Sequence, residues 1–137
     1  MTEAFNPPGV IEPFGIFSNA AWQPPGRVLH ISGQVAWDVE GRIVGPGDIS
    51  RQTRQVLSNI RAILASVGGV MGDIVSVIVY VTDMSGLKQI HEVRAEFFKR
   101  PYPASTLVRV AGLVDPELLI EISAVAVVPP ERLRTAG

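Results

Sequence analysis

The stretch Asp73 to Asp83, DIVSVIVYVTD, constrains the fold most. Its apolar residues fall on both alternating faces, so it predicts a central strand that needs covering on both sides. Helical and extended signals alternate around it. Upstream, Pro46-Gly47-Asp48 breaks the chain, with Asp48 or Ser50 available as N-cap. Ile49, Thr53, Val56, Leu57, Ile60, Ile63, Leu64 and Val67 then carry a helical period that Gly68-Gly69 stops. Downstream, Ser85-Gly86 starts a second helix. Its stripe is Leu87, Ile90, Arg94, with Val93 alongside, and Phe97 with Phe98, and Pro101 and Pro103 end it.

The remaining segments read as strands and turns. Residues 1–13 carry three prolines and a glycine without apolar period and predict an extended arm. Ile16 to Trp22 is a candidate short strand. Arg27 to Ser32 places Val28, His30 and Ser32 on one face and Leu29 and Ile31 on the other, and Gly33 ends or bulges it. Gln34 to Val39 continues to the turn pair Glu40-Gly41, with Ile43-Val44 returning. From Pro101 to Val127 two β-rich runs flank Val114-Asp115-Pro116-Glu117 and predict a hairpin. Pro129 onward reads as a polar tail outside the sheet.

The expectation is a single α+β domain over residues 1–137. It has about six short strands in one mixed sheet and two helices covering one face. A chain of this size buries roughly 68% of its unfolded surface. Because Ile74 to Val81 is apolar on both faces, the second face predicts a homo-oligomer packed through it, unless the N-terminal arm folds over it.

Composition removes several functions. Twelve basic and thirteen acidic residues give a net charge of −1, which disfavours nucleic acid and anionic lipid as partners. With no cysteine there is no disulfide, thiolate metal site or cysteine nucleophile. No apolar run reaches the roughly 18 residues of a membrane span, and MTEAFNPPG is not patterned as a signal peptide, so a cytoplasmic location is expected. Neither metal-ligand spacing nor a phosphate-binding glycine loop is present.

Glu121 is the conspicuous polar residue, lying between Ile120 and Ile122 where an ionised carboxylate must find water, a donor or a cation. The bland alternative is an edge-strand carboxylate in water or paired with an arginine. Ser32 offers a hydroxyl to a ligand with Gly33 allowing close approach, or merely ends a strand. His91, four residues after Leu87, is either a surface or interface histidine or a cleft residue able to donate or titrate. His30, between Leu29 and Ile31, reads as a core or interface histidine.

Five local patterns occur in order: Ile31-Ser32-Gly33-Gln34, the helix Gln52 to Leu64 with Asn59, Gly72-Asp73-Ile74-Val75, Tyr102-Pro103-Ala104, and Ile120 to Val127. Together, from about Asn6 to Val128, they resemble the RidA/YjgF family, also called the reactive intermediate deaminase or L-PSP family. The resemblance implies a chorismate-mutase-like fold assembled as a homotrimer, with sheets facing a central barrel and small-molecule clefts between subunits. It also implies cofactor-free hydrolysis of imines and enamines, such as those of 2-aminoacrylate, to 2-keto acids and ammonia.

In deaminating members the residue after Pro-Ala is an arginine that holds the substrate carboxylate as a bidentate pair. Here it is Ser105, in Pro103-Ala104-Ser105-Thr106. The family's tyrosine in the N-terminal strand falls on Phe17, its asparagine in the second helix on His91, and a small residue two positions after the arginine on Leu107. Ser32 and Glu121 match, with Glu121 implied to orient or activate the attacking water. Arg109 is the substitute cation considered on the same strand face, but it lies roughly 13 Å from Ser105 along the strand and is expected in a salt bridge at the trimer rim.

The expected function is therefore hydrolysis of an imine, enamine or related C–N metabolite that is neutral or differently charged rather than a 2-imino acid. The alternative is a non-catalytic metabolite-binding or regulatory module. An endoribonuclease or translation-inhibitor role, suggested by older family names, fits the charge balance poorly.

Overall fold

The computed structural model describes residues 3–136. Its elements in chain order are β1 (Glu3–Phe5), β2 (Ala20–Trp22), β3 (Arg27–Gln34), α1 (Ile49–Ser66), β4 (Ile74–Val81), α2 (Leu87–Phe97), β5 (Ala104–Arg109) and β6 (Ile120–Val128). The α+β reading holds, but the six strands do not share one sheet. β1 and β2 pair as an antiparallel ribbon, and the main sheet has four strands in the order β3-β6-β4-β5. The arm thus pairs with the end of the candidate strand Ile16 to Trp22, whose Ser18 touches the main sheet through an isolated parallel bridge to Ala104 of β5.

Helix α1 begins where expected: the Asp48 carboxylate accepts a hydrogen bond from the Arg51 N–H at 3.0 Å. Val56, Leu57, Ile60 and Leu64 are fully buried, and burial of such a side chain stabilises the fold by about 1.5–3 kcal/mol. α2 adds Ile90 and Val93 to the same core, which they share with Val77, Val79 and Val81 of β4 and Ile120, Ile122 and Ala124 of β6. Both helices therefore lie on one face of the sheet.

The expected hairpin between Ser105 and Val127 does not form. β5 pairs in parallel with β4, whereas β6 runs antiparallel between β4 and β3. The turn chemistry at 114–117 is real, since the Asp115 side chain accepts from the Glu117 N–H at 2.9 Å. However, the connection between β5 and β6 is long enough to carry β6 past β5 to the free side of β4. Gln52, fully buried on α1, fixes that connection: its amide donates to the Glu117 carbonyl at 2.8 Å and accepts from the Leu119 N–H at 2.8 Å. This buried polar group on an apolar helix face was not part of the expected stripe.

The C-terminal tail lies outside the sheet as expected, and the core reading of His30 is corrected. The tail is tied down, because Arg132 donates to both carboxylate oxygens of buried Asp73 at 2.6 and 2.9 Å and to the Gly68 carbonyl at 2.9 Å. A buried carboxylate needs such a partner. His30 is exposed, opposite Val125 on the face away from the helices. Strand β4 is central, as expected, but only one of its faces is covered: Ile78 on β4 and Val108 on β5 each remain 39% exposed, and the N-terminal ribbon does not close over them.

Candidate functional site

The register divides the candidate residues between the two faces. Ser105 and Leu107 stand beside Val77 and Val79, on the helix side, while Glu121 stands beside Tyr80 on the open side. Facing positions in adjacent strands share a face and successive residues alternate, so within one chain Ser105 and Glu121 point away from each other.

On the helix side, Phe17, His91, Ser105 and Leu107 converge. Together with Phe14, Met84, Leu87 and Arg94 they line a cavity of about 310 Å³. Phe14 and Phe17 meet edge to face, with ring centres 5.7 Å apart. Ser18 docks this N-terminal segment, its N–H donating to the Pro103 carbonyl at 2.9 Å. Gly15 lies over the His91 ring, and a Cβ there would sit 2.9 Å from His91 Cε1. His91 Nδ1 is buried with no hydrogen-bond partner among the described residues. Burial, and then the neighbouring Arg94 charge, hold this imidazole below its ordinary pKa.

Arg94 is the residue that the sequence reading missed as a site group, having placed it in the α2 stripe. It is 1% exposed, and its Nη2 donates to the Ile16 carbonyl at 2.9 Å and to Ser105 Oγ at 3.3 Å. Its Cζ lies 5.9 Å from the centre of the Phe98 ring. Burial pushes its pKa down to about 10, which leaves the guanidinium charged at neutral pH. The signal was available in the sequence, because a charged residue on an apolar helical stripe needs a reason to be there. Arg109, the substitute considered from sequence, instead donates to the Thr82 carbonyl at 3.3 Å.

The open side holds the second group. Glu121 is half-buried and lies against Gly33, where a Cβ would come within 2.0 Å of Glu121 Oε2. The β3–β6 register shifts between Ile31 and Gln34, so Ser32 and Gly33 occupy a bulge beside this carboxylate. Ser32 is exposed. None of Ser32, Gly33 and Glu121 lines the Ser105 cavity. Among the described residues no group of three His, Asp or Glu side chains is placed to hold a metal ion, and no helix is long and apolar enough to cross a membrane.

Comparison with known proteins gives these two groups a context. The family model described as endoribonuclease L-PSP matches residues 10–128. A RutC family protein of Pyrococcus horikoshii is 41% identical over 115 residues, 84% of this chain and 89% of that protein. Among solved structures, YyfB of Yersinia pestis, a protein of unknown function in the conserved Rid family, superposes with a TM-score of 0.85 at 38% identity, covering 93% of this chain and 98% of that one. E. coli TdcF, solved with bound serine, gives a TM-score of 0.68 at 32% identity, covering 88% and 91%. The chain belongs to the RidA/YjgF family.

Proposed function

We propose that this chain is a hydrolase acting on a small imine, enamine or related C–N compound, and that it works in clefts between copies assembled as a homotrimer. The observation that carries this reading is the convergence of Phe17, His91, Ser105 and Leu107 on one cavity at the edge strand β5. β3, with Ser32 and Gly33 beside Glu121, forms the other edge. Edge-to-edge assembly would bring the Glu121 group of one copy toward the Ser105 cavity of the next and would also cover Ile78 and Val108.

The chemistry balances with water alone. Glu121 accepts a proton from a water whose oxygen attacks the C=N carbon. The nitrogen of the adduct takes that proton to give the neutral carbinolamine, whose hydroxyl proton then passes by way of Glu121 to the nitrogen, so that the C–N bond breaks, ammonia leaves and a carbonyl product remains. His91, held neutral at physiological pH, can hydrogen-bond a substrate heteroatom without adding charge.

A non-catalytic metabolite-binding module is the second reading, favoured by the separation of Glu121 from the cavity within one chain. Endoribonuclease action is not favoured, because the net charge of −1 supplies no field for a polyanion. The deciding experiment measures ammonia release from enzymatically generated 2-aminoacrylate and from uncharged imines. Acceleration by wild type that Glu121→Ala abolishes supports hydrolysis. Saturable ligand binding without acceleration of any of these substrates leaves the binding module.

A further inference from the structure

Arg94 is a cation taken out of water with no counter-ion. Among the described residues no carboxylate forms an ion pair with its guanidinium, whose hydrogen bonds run from Nη2 to one carbonyl and one hydroxyl. Desolvating a charge on this scale is unfavourable unless an opposite charge and further hydrogen bonds offset it. The two bonds that do exist orient the group. Ile16 holds it from the N-terminal loop and Ser105 from β5, so the guanidinium is fixed in the wall of the cavity while keeping unused donors.

Resting on the reading of this cavity as the ligand site, we propose that Arg94 is its anion-binding residue. It takes the carboxylate of a small molecule whose apolar body lies against Phe17, Leu87 and Leu107. The cation that Ser105 does not supply from the strand comes instead from α2, and the serine hydroxyl becomes the group that positions it. A carboxylate matches the planar fork of guanidinium donors, and the surrounding Phe, Leu and Met side chains favour a compact, branched or unsaturated body over a polar one. The ligand is thus a small organic anion, where Ser105 alone pointed to a neutral or differently charged compound.

The test uses the full chain and a matched pair of probes, isobutyrate and isobutyramide, titrated by NMR. They have nearly the same shape and differ in charge. Wild type should bind isobutyrate roughly 10- to 100-fold more tightly than the amide, the range expected of one or two charge-assisted hydrogen bonds. Arg94→Met should remove the difference and Arg94→Lys should retain part of it. Ser105→Asp provides a second route in case Arg94→Met fails to fold, since it gives Arg94 an internal counter-ion and should block isobutyrate while preserving the structure.

Equal binding of acid and amide by wild type overturns the proposal, as does isobutyrate binding that survives undiminished in Arg94→Met or Ser105→Asp. Ammonia release is scored separately. Acid-selective, Arg94-dependent binding without any hydrolysis would retain the anchor and remove the hydrolase reading. Hydrolysis without acid selectivity would do the reverse.

Discussion

The helix-side cavity and the open face of the same sheet hold their charged groups in different ways, one fully buried and one half-buried. Arg94 is sealed among Phe17, Leu87 and Phe98, positioned by one carbonyl and one hydroxyl. Glu121 keeps contact with solvent and has its space defined by the missing side chain of Gly33. The first arrangement makes a fixed binding group, the second a group free to exchange with water. A cation that orients a ligand gains from rigidity and dryness, whereas a carboxylate that moves a proton needs access to the water it activates.

The strongest way to break this comparison is Glu121→Gln. The amide fills the same space beside Gly33 but cannot accept the proton, so imine hydrolysis should fall by about 10²- to 10⁴-fold in kcat, read as ammonia release under saturating substrate. A fall of less than threefold would assign Glu121 to the fold alone.

Ser105→Arg tests the other region and should act mainly on stability. It places a second guanidinium within reach of Arg94 in a site with no carboxylate, and should cost about 2 kcal/mol, seen as a lower denaturant midpoint at unchanged m-value. Combined with Arg94→Met, the same substitution moves the cation from α2 to β5. The double variant should then recover most of that stability, together with the preference for isobutyrate over isobutyramide. If Ser105→Arg alone is as stable as wild type, the region around Arg94 is wetter than the geometry implies.

Gly33→Ala has a smaller effect and separates position from presence. The added Cβ would collide first with the end of a flexible side chain, Glu121 Oε2 at 2.0 Å and Cδ at 2.7 Å. The carboxylate can therefore swing aside, for less than about 1 kcal/mol of stability. Activity should drop roughly tenfold through misplacement of the general base. Losses in stability as large as those of Ser105→Arg would show that Glu121 has nowhere to move.

These contrasts also mark what the sequence could and could not reveal. Both helices, the Asp48 cap, the stop at Gly68 and the central strand β4 were legible, because each follows from local periodicity, capping or turn chemistry. The β5–β6 hairpin was misread because strand adjacency depends on which edge of β4 is free, and a turn signal at Asp115 cannot report that. The Asp73–Arg132 pair was hidden by its separation of 59 residues. At the site, Phe17, His91, Ser105 and Leu107 could be picked from the family pattern, and the structure brings them together. Arg94 lies outside that pattern, which directs attention to the strand position where a cation is missing, so its one signal was a charge on the apolar stripe of α2. Whether a helix residue reaches that space is a matter of three-dimensional placement.

The finest probe of the comparison is the titration of His91, which senses the Arg94 charge without bonding to it. Burial first and Arg94 second hold its folded-state pKa below the ordinary value. The folded state therefore binds fewer protons than the unfolded state just below pH 6.5. Stability should be full above that pH, decline as the pH falls toward the depressed folded-state value, and level off below it. In Arg94→Met the imidazole should titrate higher than in wild type yet still below an exposed histidine, because its burial remains. Two-dimensional NMR of the His91 ring protons in wild type and Arg94→Met reads this directly. A bound carboxylate on Arg94 should shift His91 in the same direction as the substitution, because it screens the same charge. Isobutyrate raising the His91 pKa in wild type but not in Arg94→Met would tie the two residues to one ligand site, and an unchanged titration would separate them.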